Sequence, residues 1–197
     1  ALEILDLELQ KTLKTERNPK IALLKAFLNT SSAVFQKTTS SLELKGAMTT
    51  LTALLLAGSK WYIAHVGDTR AYLLRGKHLY LLTEDDTKAQ LMVKQNLIKP
   101  HEALNHPARN ILVRALGSKP LVKPHMYEGY ISKGDKFLLA SDGLYSYFSF
   151  RELFDYIRKF EPKPLLEKLR DIANERGGED NLTAVAVEIT DAPLYST

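Results

Sequence analysis

The spacing of apolar residues along this 197-residue chain predicts helices at the N-terminal end. Leucines recur at helical spacing through residues 2–13, which predicts a first helix there. Asn18-Pro19 predicts the start of a second helix, because asparagine caps helix N-termini and proline is favoured at the first helical position. A mostly polar connection is expected at 38–45, before the pattern changes.

The middle of the chain has the pattern of short strands. Runs rich in β-forming residues are separated by turns that contain glycine, which is typical of a meander of hairpins. The predicted strands are 50–57, 60–66, 70–75 and 78–82. A helix is expected next at 86–95, an irregular segment with two prolines at 99–108, and further strands at 110–115 and 122–131.

The last third of the chain returns to helices between two strands. Ser149 and Glu152 have the spacing of a capping box, which predicts a helix from Ser149 to about residue 159. The predicted elements here are a strand at 136–140, that helix, a helix at 164–176 stopped by Gly177-Gly178, and a strand at 182–189. This order favours one α+β domain over 1–190, followed by a polar tail at 191–197.

Composition places the chain among ordinary globular proteins, with 45% apolar and 25% charged residues. There is no cysteine, which excludes disulfides and thiolate chemistry. The apolar runs are too short to cross a bilayer, and no signal peptide opens the chain. We therefore expect a cytoplasmic protein that does not associate with a membrane.

The net charge of +4 is unevenly distributed. Residues 87–125 carry seven Lys or Arg but one acid, so this segment would attract an anionic partner. A solvated basic surface is the commoner explanation of such a segment. The segment lacks the interleaved aromatic residues that stack nucleic-acid bases, so no nucleic-acid partner is expected.

Two short acidic motifs offer candidate chemistry. Ser141-Asp142-Gly143 ends the strand predicted at 136–140, and Asp180-Asn181 opens the strand predicted at 182–189. If these strands are antiparallel neighbours, Asp142 and Asp180 converge at one sheet edge, where two carboxylates suit Mg²⁺ or Mn²⁺. Taken alone, each motif is more typical of a turn, since Asp, Asn and Gly favour turns.

Other chemical motifs are weak. The phosphate-binding loop, the nucleophile elbow and zinc-ligand spacing of histidines are all missing from the sequence. Asp68 could be a functional acid, but a turn with a local salt bridge to Arg70 explains it equally well. The cluster Glu84-Asp85-Asp86 could be a helix N-terminus, where acids complement the helix dipole, or a weak metal site.

The chain as a whole resembles the metal-dependent serine/threonine protein phosphatases of type 2C, in their bacterial form. The six blocks that carry this resemblance occur in the family's order: 46–50, 65–73, 82–87, 106–117, 138–144 and 174–183. The fourth contains His106-Pro107-Ala108-Arg109-Asn110 and Arg114-Ala115-Leu116-Gly117, and the last contains Gly177-Gly178-Glu179-Asp180-Asn181.

The resemblance implies a four-layer αββα sandwich of two antiparallel sheets flanked by helices. It implies that Asp142 and Asp180 hold two ions, Mn²⁺ or Mg²⁺. A water bridging the ions would then hydrolyse phosphoserine and phosphothreonine in protein substrates. Asp85 falls where the family has a ligand for a weaker third ion. Residues 88–117 correspond to a flap beside the cleft, on which Arg109 is expected to meet the substrate.

Two departures from the family pattern affect these expectations. The family begins with strands that supply an Asp-Gly metal ligand and a phosphate-binding arginine, and this chain is expected to start after them. The family's other third-ion aspartate is replaced by Ser146, and Asp86 stands in place of a histidine. The alternative function is therefore an inactive pseudophosphatase that serves as a binding or regulatory module.

Overall fold

The computed structural model describes residues 1–103 and 105–192. In chain order, its helices and strands are α1 Leu2–Thr15, α2 Pro19–Ser40, β1 Leu51–Ala57, β2 Lys60–Val66, β3 Arg70–Arg75, β4 His78–Leu81, α3 Lys88–Lys94, α4 Pro100–Ala103, β5 His125–Tyr130, β6 Lys136–Ala140, α5 Asp142–Tyr145, α6 Phe150–Lys159, α7 Pro162–Glu175 and β7 Ala184–Glu188.

The described residues form two compact units, each with its own sheet and core. Unit 1 comprises Ala1–Ala57, Trp61–Asp68 and Glu84–Gly129. Unit 2 comprises Gly58–Lys60, Thr69–Thr83 and the chain from Tyr130 onward.

Unit 1 contains a three-stranded sheet with the order β1-β2-β5 and the helices α1 and α2. The Asn18 side chain caps α2, accepting a hydrogen bond from the Lys20 backbone N–H at 3.0 Å. One face of α2 is fully buried, and its residues form a single apolar cluster with residues of α1, β1 and β2. That cluster includes Leu5, Leu23, Ala26, Phe27, Leu51, Ala64 and Val66.

Unit 2 contains a four-stranded sheet with the order β4-β3-β6-β7, in which every neighbouring pair is antiparallel. The predicted capping box is present at the start of α6, with Ser149 and Glu152 bonding each other's backbone N–H groups. The apolar faces of α6 and α7 pack with β3 and β6 in one core. Its members include Tyr72, Leu138, Leu144, Leu153, Ile157, Leu165 and Leu169.

The α+β class is confirmed, with two antiparallel sheets and flanking helices. The predicted strand at 110–115 is wrong, since the bridge that this segment makes is a single one, between Leu112 and Thr87. The apolar residues Ile111 and Val113 of this segment are exposed, so they do not pack against the core as residues of a sheet would. The strand predicted at 122–131 begins only at His125, after Pro124, which has no N–H for a sheet ladder.

Smaller differences lie at element ends. Helix α2 continues to Ser40, through part of the predicted polar connection, and α5 was not predicted. Residues 193–197 of the predicted tail lie outside the described residues. The single domain over 1–190 stays a prediction. Within the described ranges, no helix has both the length and the apolar character needed to cross a bilayer.

Candidate metal centre

The two acidic motifs lie at the same edge of the unit 2 sheet, because β6 and β7 pair antiparallel with Ala140 opposite Ala184. Just beyond the last pair, the Ser141 N–H donates to the Thr183 carbonyl oxygen, and the Thr183 N–H donates to Ser141 Oγ, both at 3.0 Å. The convergence predicted for the two motifs is therefore confirmed.

Gly143 brings the two motifs into contact. A Cβ at this position would lie 2.4 Å from the Asn181 carbonyl oxygen and 3.4 Å from the Cβ of Asp180. The glycine is thus required by the close approach of the backbone of the second motif. The side chain of Asp180 begins directly beside the turn that carries Asp142.

Each of the two carboxylates accepts a hydrogen bond from the backbone N–H of the residue that follows it. One oxygen of Asp142, at the first residue of α5, accepts the Gly143 N–H at 2.9 Å. One oxygen of Asp180 accepts the Asn181 N–H at 2.6 Å. Among residues 1–103 and 105–192, neither carboxylate has an ion-pair partner.

The donor chemistry fits a hard divalent ion, which prefers carboxylate oxygens. In the described part of the chain, no group of three or more His, Asp or Glu side chains is placed to hold a metal. Asp142 and Asp180 would therefore supply two ligands at most, and other coordination positions would stay open to water. Mg²⁺ characteristically keeps several waters and needs only one or two carboxylates from a protein.

Ser146, at the position of the family's third-ion aspartate, has a structural role in the same turn. Its hydroxyl donates to the backbone carbonyl oxygen of Asp142. It therefore closes the turn that presents Asp142 and adds no negative charge to the site.

The other two predicted site residues belong to unit 1. Asp85 is half-buried on the segment after β4, and Arg109 is exposed on the segment that follows α4. The Arg109 backbone N–H donates to the His106 carbonyl oxygen at 3.0 Å, which closes a turn there. The third-ion role of Asp85 and the substrate role of Arg109 stay predictions.

Asp86 is the centre of a buried polar network in unit 1 that sequence reasoning missed. Its carboxylate is 7% exposed and accepts from the Gly67 N–H at 3.0 Å, the Arg114 guanidinium at 3.1 Å and His125 Nε2 at 2.9 Å. Because its oxygens already accept these three hydrogen bonds, the Asp86 carboxylate has few lone pairs left to bind a metal ion. The N-cap of α3 is Thr87, so the acidic cluster does not form the helix N-terminus.

His65 lies beside this network and is fully buried in β2. Its Nε2 lies 3.1 Å from the Glu84 carbonyl oxygen, which can only accept, so Nε2 carries the proton. Its Nδ1, 2.8 Å from Thr52 Oγ1, then accepts the hydroxyl hydrogen. Burial lowers the pKa of His65 and outweighs the attraction of Asp86, so the imidazole is neutral in the folded protein.

This burial predicts that acid destabilises the protein through His65. Below its ordinary pKa of 6.5, the unfolded chain binds a proton at His65 that the folded chain does not bind. The free energy of unfolding should therefore fall as the pH drops below 6.5, until His65 titrates in the folded state. Urea unfolding over this range should show a smaller pH dependence for His65→Gln, while exposed His101→Gln should match the wild type. Equal pH dependence in all three proteins would contradict the prediction.

Comparison with known proteins identifies the family. Residues 3–91 match the family model described as Protein phosphatase 2C. Serine/threonine protein phosphatase PstP of Mycobacterium tuberculosis is 36% identical over 161 residues, which are 82% of this chain and 31% of that protein. Serine/threonine phosphatase stp of Listeria welshimeri is 38% identical over 153 residues, 76% of this chain and 60% of that protein.

A solved structure aligns over nearly the whole of this chain. The catalytic domain of PstP in complex with two manganese ions aligns with a TM-score of 0.79 and 31% identity, covering 96% of this chain and 82% of that one. This chain therefore belongs to the protein phosphatase 2C family. It spans from about a third to three fifths of the length of the two curated relatives.

Proposed function

We propose that the protein containing this chain hydrolyses phosphoserine and phosphothreonine in proteins, with two Mn²⁺ or Mg²⁺ ions. The observation that carries the proposal is the meeting of the Asp142 and Asp180 motifs at one sheet edge. Family membership adds to it, since the matched relatives are named serine/threonine phosphatases and one structure of PstP holds two manganese ions.

Asp142 and Asp180 would hold the ions, because they supply hard anionic oxygens on neighbouring backbone segments. Divalent ions supply Lewis acidity toward phosphoryl oxygens and lower the pKa of water. The chain's own contribution is the placement of the two carboxylates, through β6–β7 pairing and the contact at Gly143. A third ion at Asp85 stays part of the proposal, and its binding is proposed to be weak.

The proposed partners are phosphorylated proteins, and the basic segment 87–125 is proposed to attract them. Its excess of Lys and Arg complements phosphate and acidic residues. The cytoplasmic location stays a prediction.

Removal of metal tests the proposed function directly. The purified protein should release phosphate from a phosphothreonine peptide in the presence of Mn²⁺ or Mg²⁺, and the activity should vanish with excess EDTA. Adding Mn²⁺ back should restore it. Activity that persists unchanged in EDTA would contradict the metal-dependent mechanism, and no activity with either ion would favour the pseudophosphatase alternative.

Arg109 is expected to affect substrate binding more than the chemical step. Arg109→Ala should raise KM about three- to tenfold, the effect of losing one ordinary hydrogen bond to the substrate at an exposed position, and leave kcat within about twofold. Arg17→Ala, which removes an exposed arginine from the α1–α2 connection, is the matched control and should change neither constant. A fall in kcat at constant KM would contradict the assigned role.

A further inference from the structure

The segment after α7 carries Asp180 and begins with an unusual turn. Gly177 and Gly178 have φ values of +140° and +57°, a region that favours glycine. The Gly178 N–H donates to the Ala173 carbonyl oxygen at 3.1 Å, which ends the helix. Such a turn fixes where the chain leaves α7, and Glu179 and Asp180 follow it immediately.

Both chain neighbours of Asp180 are held by the segment that carries Asp142. On one side, the Glu179 N–H donates to the hydroxyl oxygen of Tyr147 at 3.0 Å. On the other side, the Asn181 carbonyl group packs against Gly143. Asp180 therefore sits between two anchor points, and both belong to residues 143–147.

Both the ring and the backbone of Tyr147 are held by contacts. Its ring packs against the unit 2 core and approaches Gly177, where an added Cβ would lie 3.6 Å from Tyr147 Cε1. Its backbone carbonyl oxygen accepts from the Arg176 guanidinium at 2.5 Å. Arg176 also pairs with Glu152 at 2.6 Å, and this pair, together with hydrogen bonds from Ser149, lowers the pKa of Glu152 to about 2. Both partners are therefore charged at neutral pH.

We propose that Tyr147 is a positioning residue for the metal centre: its hydroxyl fixes the backbone at Glu179 and so holds the Asp180 carboxylate at the proper distance from Asp142. Metal affinity depends on such placement, because a ligand that must first be ordered costs free energy on binding. This assignment rests on the proposed function, since it concerns the same two carboxylates.

Tyr147→Phe is the decisive variant, because it removes the hydroxyl and keeps the ring that packs on the core. Mn²⁺ binding measured by calorimetry should weaken about three- to tenfold, the range expected for the loss of one hydrogen bond. In the metal-free protein, amide hydrogen exchange at Glu179 should accelerate by a similar factor. The Mn²⁺ electron paramagnetic resonance spectrum should broaden as the coordination becomes less uniform.

Tyr80→Phe is the matched control, since it removes an exposed hydroxyl from β4 in the same unit. It should leave Mn²⁺ affinity, exchange at Glu179 and the thermal midpoint unchanged. The thermal midpoint of Tyr147→Phe should stay close to that of Tyr80→Phe, which separates positioning from a general loss of stability.

The outcomes distinguish this assignment from the proposed function. Wild-type Mn²⁺ affinity and Glu179 exchange in Tyr147→Phe would overturn the role of Tyr147 and leave the phosphatase proposal intact. Failure of the wild-type protein to bind Mn²⁺ would overturn the proposed function and the positioning role together.

Discussion

Replacing Asp142 by asparagine should lower kcat by at least about a hundredfold while the protein remains folded. An amide has no charge, so it binds a divalent ion weakly and cannot balance the ion's charge. The fold should survive because the two hydrogen bonds between Ser141 and Thr183 that hold this turn to the second motif do not involve the carboxylate. Asp180→Asn should behave in the same way, since its side chain is exposed and is not part of the core.

The measurement combines steady-state kinetics on a phosphothreonine peptide with metal analysis of the same samples. Asp171→Asn is the matched control, because Asp171 is exposed on α7 and its carboxylate bonds the neighbouring Arg170. It should keep wild-type kcat and metal content. Full activity of Asp142→Asn with unaltered metal content would show that the two motifs are turns without a catalytic role.

Replacing Asp86 by alanine should lower the free energy of unfolding by about 3–5 kcal/mol, the cost of breaking a buried ion pair from one side. The change leaves the Arg114 guanidinium and the Gly67 N–H without their carboxylate partner. Arg114 is itself 31% exposed, so water can relieve part of this cost and favours the lower end of the range.

Urea unfolding of two further variants makes this prediction specific. Asp155→Ala breaks the exposed pair between Asp155 and Arg151 and should cost less than about 1 kcal/mol. The double variant Asp86→Leu with Arg114→Leu should lose less free energy of unfolding than the two single variants lose together. In the double variant, neither charge is left unpaired. If Asp86→Ala lowers the free energy of unfolding by as little as Asp155→Ala does, the network around Asp86 contributes little to stability.

Much of the fold could be predicted because its signals are local. A capping box, a proline at a helix start and runs of β-forming residues act within a few residues, so they predict the start of α2, the helix α6 and the strands β1 to β4 correctly. The predicted meander of these four strands was wrong, because β2 and β3 lie in different sheets. The strand predicted at 110–115 was wrong because strand formation also depends on residues that are distant in the sequence. Its β-forming residues were a local signal, and a strand also requires a neighbouring strand to pair with.

The sequence alone determined the two acidic motifs as candidates for metal binding, since an acidic turn after one strand and another before the next need only antiparallel β6–β7 pairing to converge. Only the tertiary structure decided which distant residues surround Asp86 and which one holds the segment that carries Asp180. Asp86 meets Arg114 from 28 positions away and His125 from 39, and Tyr147 meets Glu179 from 32 positions away. No local pattern encodes such contacts, because they depend on how separate segments pack once the whole chain has folded.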